Sequence, residues 1–109
     1  MKRTFTQKEI VDYLKANPLN FEVKTGNLNN LNNKDYIFFD YLYDNIKGAD
    51  NNAIYSTMIQ FSVLTKNFES RKTICQYIKN MFVVRFQFDK ADESEYYQAT
   101  GLTEVFING

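Results

Sequence analysis

Histidine is absent from all 109 residues, so the chain lacks both the usual general base near neutral pH and the commonest metal ligand. Histidine-dependent triads and zinc sites are thereby excluded. The single thiol, Cys75, has no partner for an internal disulfide and falls at helical spacing among apolar residues. It reads as a small packed hydrophobe, because a reactive thiol needs an exposed, electropositive setting. Asp89, Asp92, Glu93 and Glu95 could gather around a hard cation, but they lack the ligand order and central glycine of a calcium loop and read as a solvated turn. Val84-Arg85-Phe86-Gln87-Phe88 resembles the aromatic strands on which RNA bases stack, without the glycines of that signature or a surrounding basic field. Gly26, Gly48, Gly101 and Gly109 are too dispersed to form a phosphate-cradling loop. Asp40 interrupts the apolar run Phe38, Phe39, Tyr41, Leu42 and is expected at an edge or interface. Tyr96-Tyr97 is expected to pack in the core or across strands. No residue is assigned a catalytic, cofactor-binding or metal-binding role, and the chain is read as one that binds or assembles rather than as an enzyme.

The elements that would carry these residues fit one domain, 1–109, which is long enough to bury a single core. Ten Phe and eight Tyr make the composition 17% aromatic, a bias toward sheets and interfaces. Thirteen basic residues balance thirteen acidic ones without a basic run, so no specific nucleic-acid binding is expected. The polar start and the lack of a long apolar stretch predict neither a signal peptide nor a membrane span, and the lone cysteine fits a reducing cytoplasm.

Thr6-Gln7-Lys8-Glu9 has the form of a capping box, with Phe5 and Ile10 placed as a hydrophobic staple, and predicts a helix over 7–16 that stops at Asn17-Pro18. Phe21 and Val23 alternate with polar residues as a short strand, and the Asn-rich segment 27–33 is a loop. Asp35 to Tyr43 reads as a strand covered on both faces. Ala53 to Thr65 alternates most clearly, with Tyr55, Thr57, Ile59, Phe61 and Val63 on one face, and should pair with the preceding strand as an antiparallel hairpin. Asn67 caps a second helix over 68–81, whose stripe is Phe68, Cys75, Ile78 and Phe82, flanked by Ile74 and Met81. Val84 to Phe88 follows as a strand, and Tyr96 to Ile107 as another, kinked or interrupted near Gly101. The fold class is α+β, in the order α-β-β-β-α-β-β: a mixed, largely antiparallel β-sheet with two α-helices packed on one face.

From Ala53 to Phe82, the strand Ile54-Tyr55-Ser56-Thr57-Met58-Ile59-Gln60-Phe61-Ser62-Val63 runs through Lys66-Asn67-Phe68-Glu69-Ser70-Arg71 into an amphipathic helix. This stretch resembles the centre of tailed-phage tail terminator, or tail completion (tail-to-head joining), proteins. The resemblance extends to the opening helix, the aromatic strand before the hairpin loop, and the Tyr-Tyr strand near the end, and so covers nearly the whole chain. It lies in order and spacing rather than in an invariant motif. It implies a homo-oligomeric, commonly hexameric ring that caps the tail tube, with the tail tube protein and head connector proteins as partners. It further implies a place at the head-proximal end of the virion tail after assembly in the host cytoplasm. The family offers no catalytic residues or cofactors to carry over. The Asn-rich segment 27–33 carries less charge than the loops of many such chains, which leaves the subunit and connector contacts unassigned. Rival functions are a head-completion protein, a monomeric small-ligand or peptide-binding module and, furthest away, a metal-dependent enzyme using Asp and Glu alone.

Overall fold

In the computed structural model, residues 4–25, 34–45, 54–90 and 96–108 are described. The elements run β1 (Thr4–Phe5), α1 (Gln7–Lys15), β2 (Glu22–Thr25), β3 (Tyr36–Asn45), β4 (Ile54–Thr65), α2 (Phe68–Lys79), β5 (Arg85–Lys90) and β6 (Tyr97–Asn108). The class is mixed α+β, and the element order differs from expectation by β1, a two-residue strand too short for alternation to reveal. Across the sheet the strands lie in the order β1-β6-β4-β3-β2, and β5 shares with β1 the outer side of β6. The pairings of β3 with β4, β4 with β6 and β5 with β6 are antiparallel. Those of β1 with β6 and β2 with β3 are parallel, which makes the sheet mixed.

Local chemistry sets both helix starts. The Thr6 hydroxyl accepts from the Glu9 N–H at 3.0 Å and the Glu9 carboxylate accepts from the Thr6 N–H at 2.9 Å, so the capping box closes in both directions. The Asn67 side chain accepts from the Ser70 N–H at 3.0 Å and starts α2 in the same way. Asn17, 4% exposed, ends α1 and turns the chain into β2. Its amide donates to the carbonyls of Leu14 (2.8 Å) and Phe21 (3.0 Å), while its oxygen accepts from the Phe21 N–H (2.8 Å).

The buried stripes of α1 (Ile10, Leu14) and α2 (Ile74, Cys75, Ile78) join one core with Ile59, Phe61 and Val63 of β4, so both helices cover the same face of the sheet. Phe5 and Ile10 also lie in this core. Phe82 sits at its centre, 5.2 Å between ring centroids from both Phe5 and Phe61. The helices are joined by Tyr13 and Tyr77, whose rings stack at 4.3 Å and whose hydroxyls donate to each other's backbone carbonyls at 2.5 and 2.6 Å. The opposite face carries a smaller cluster of Tyr36, Phe38, Leu64 and Tyr96, so the first half of β3 is covered on both sides as expected, whereas further along it Asp40 and Leu42 are exposed.

Two expectations are corrected. Gly101 does not interrupt β6, which pairs without a break from Tyr97 to Asn108. Its missing side chain instead permits a close approach: a Cβ there would lie 2.7 Å from Val84 Cγ2 and 2.9 Å from Phe86 Cδ1. Phe68 does not join the core stripe of α2 but is 47% exposed, because α2 turns its first residue toward β5 and β6 rather than toward β4. The side chain of Tyr55, the loop 27–33, and Asp92, Glu93 and Glu95 lie outside the described residues.

Candidate functional site

Cys75 occupies the helix–sheet interface at 3% exposure, and burial, partly offset by the positive charges of Arg71 and Lys79, pushes its thiol from 9.0 up to about 12. The fold therefore favours the neutral thiol. Its contribution is complete below about pH 9, the unfolded value, and is lost as pH rises toward about 12. Stability should accordingly fall between those limits, and Cys75→Ala should flatten the decline attributable to this group, as urea midpoints across pH would read. At pH 8 native thiol labelling should be slowed by roughly a thousandfold from thiolate depletion alone. Rapid labelling of the folded protein would contradict the burial. Among the described residues no group of three or more His, Cys, Asp or Glu could hold a metal ion, and no helix is long and apolar enough to cross a membrane. Addition of a chelator should leave the melting temperature unchanged.

Arg71 is a feature that helical periodicity missed. It lies on α2 at 7% exposure, with its guanidinium 5.1 Å from the ring centroid of Phe68, 4.8 Å from Phe88 and 5.5 Å from Tyr97. One terminal N–H group donates to the carbonyls of Asp89 and Gln98, both at 3.2 Å. Those carbonyls belong to residues paired across β5 and β6, so a single cation pins α2 to the outer hairpin. The buried Nε has no hydrogen-bond partner among the described residues, and the surrounding π faces provide part of the compensation. A sequence signal did exist: Phe68 and Arg71 are three apart on one helix, but their partners come from strands about twenty residues further on. Tyr97 of the pair singled out in the sequence closes this cage, edge-on to Phe68, while Tyr96 is buried on the other face and donates to the Lys34 carbonyl at 3.0 Å.

Asp40 is exposed rather than enclosed by its aromatic neighbours, since the strand turns Phe39 and Tyr41 toward the helices and Asp40 away from them. It heads a row that crosses four strands in register: Asp40 on β3 faces Gln60 on β4, Gln60 faces Leu102 on β6, and Leu102 faces Arg85 on β5. Arg85 is likewise exposed. Leu42 beside this row and Leu102 within it stand 45% and 49% exposed, and with Gln60, Arg85, Gln87 and Thr100 they line a shallow groove of about 320 Å³. At the margins of the sheet, β2 pairs only with Tyr36–Phe39, so the outer edge of β3 from Asp40 to Asn45 has no strand partner among the described residues. The outward edge of β5 likewise has none among them. Among the described residues, the surface features are thus open strand edges on both sides of the sheet and, beyond the cluster of Tyr36, Phe38, Leu64 and Tyr96, a sheet face that the helices leave uncovered and that is amphipathic across its width.

No protein-family model matches the chain, and a search of curated proteins finds no significant relative.

Proposed function

We propose that the protein is a phage virion assembly protein that terminates the tail tube and joins tail to head through ring-like self-association. The observation that carries this reading is that, among the described residues, an open strand edge lies at each side of one sheet, on β3 beyond Phe39 and on β5. A molecule with an open edge on each side is suited to head-to-tail contact, and a rotation that closes turns such contact into a finite ring. The order and spacing of elements that resemble the tail terminators support the same role, as does an aromatic-rich composition suited to interfaces. In this role the chain acts by shape. One face of the ring matches the symmetric end of the tail tube, and the other offers the head connector a different surface.

The test is a tube-elongation assay with purified tail tube protein of the parent phage. Added at the stoichiometry of tube ends, the chain should stop elongation and fix the length distribution. Tubes that keep growing at saturating chain would contradict capping.

A further inference from the structure

One row across the face of the sheet away from the helices carries charge in an order that is its own complement. In the row Asp40, Gln60, Leu102, Arg85, a carboxylate stands at one end and a guanidinium at the other, three strand spacings or roughly 14 Å apart. Neither Asp40 nor Arg85 has an ion-pair partner among the described residues. Between them stand the amide of Gln60 and the half-exposed Leu102, and the half-exposed Leu42 lies on β3 two residues beyond Asp40. The chain as a whole is neutral, so two copies approach without net repulsion.

We propose that this face binds a second copy of the chain, packed face to face about a two-fold axis that runs parallel to the strands between β4 and β6. That axis turns the row over upon itself. It sets Asp40 of each copy against Arg85 of the other and Gln60 against Leu102, with Leu102 beside the axis and Leu42 toward the margin on β3. Such pairing keeps the strands of the two sheets nearly aligned, the usual arrangement for sheets stacked about 10 Å apart. The contact is isologous and closes at two copies. It differs from the ring proposed above, which uses sheet edges and loops, and either association can exist without the other.

Sedimentation equilibrium of the full chain, carried up to about 1 mM, reads the proposal directly. The wild type should reach twice the 12.9 kDa chain mass. Leu102→Lys, at an exposed position on a strand paired on both sides, should remove the dimer without shifting the melting temperature. Leu42→Lys serves as a second probe of the same face should Leu102→Lys lose its fold. Asp40→Arg and Arg85→Asp should each weaken dimerisation by about tenfold or more, because each places two like-charged contacts in a homodimer. An equimolar mixture of these two variants should recover wild-type affinity as a heterodimer, since both contacts become attractive again. A wild type monomeric at the highest concentration, a dimer indifferent to Leu102→Lys, or a mixture that fails to recover would each overturn the face-to-face pair. A larger closed oligomer that survives Leu102→Lys would also overturn it, and would leave the edge-mediated ring standing.

Discussion

Phe61→Ala should lower the free energy of unfolding by roughly 3 to 5 kcal/mol, the largest effect expected from any single truncation in this chain. Phe61 is fully buried on the helix-facing side of β4, the strand that pairs with β3 on one side and β6 on the other. Its ring meets Phe82, the aromatic residue that also receives Phe5, so the truncation opens a space reaching both β1 and the end of α2. Gly101, directly across from Phe61 on β6, contributes no side chain to fill that space, and Val84 and Phe86 already pack over the glycine. Urea denaturation measures the loss as a shift in midpoint at constant slope. An unchanged midpoint would mean that the two helices do not close on β4.

Asn17→Ala should cost roughly 2 to 4 kcal/mol, a size unusual for a polar residue and explained by what the side chain satisfies. Its three hydrogen bonds hold the last turn of α1 to the first residues leading into β2, all in a buried setting. Alanine leaves the Phe21 N–H without this acceptor and withdraws a donor from the carbonyls of Leu14 and Phe21. Asn17→Asp is the sharper control. It keeps an acceptor for Phe21 but turns carboxylate oxygen toward two carbonyls, so it should be less stable than wild type near neutrality and recover in part as acid protonates it. If Asn17→Ala melted like the wild type, the buried bridge would be disproved.

Much of this architecture was legible because it is written in local chemistry. The Thr6–Glu9 box, the Asn67 cap and the period-two alternation of β4 each depend on neighbours within a few residues, and each is found where the sequence places it. What escaped depends on register between distant strands. Phe68 counts as a core residue by helical spacing, yet its ring belongs with Phe88 and Tyr97 around Arg71, a grouping that exists only once β5 and β6 pair beside α2. Gly101 reads as a break in a strand when the space occupied by Val84 and Phe86 is not known. The parallel pairing of β2 with β3 is equally invisible, since β2 is too short to declare its direction. The candidate surface follows the same rule. Asp40 and Arg85 are ordinary strand charges in the sequence, and only four strands in register place them at opposite ends of one row.

The role we propose for this chain is a ring at the head-proximal end of a phage tail. Electron microscopy of purified tails incubated with the protein tests it most directly. A single annular layer at the head-proximal end, absent from tails without the protein, is the predicted result. No added density at that end, or density distributed along the tube, would contradict it.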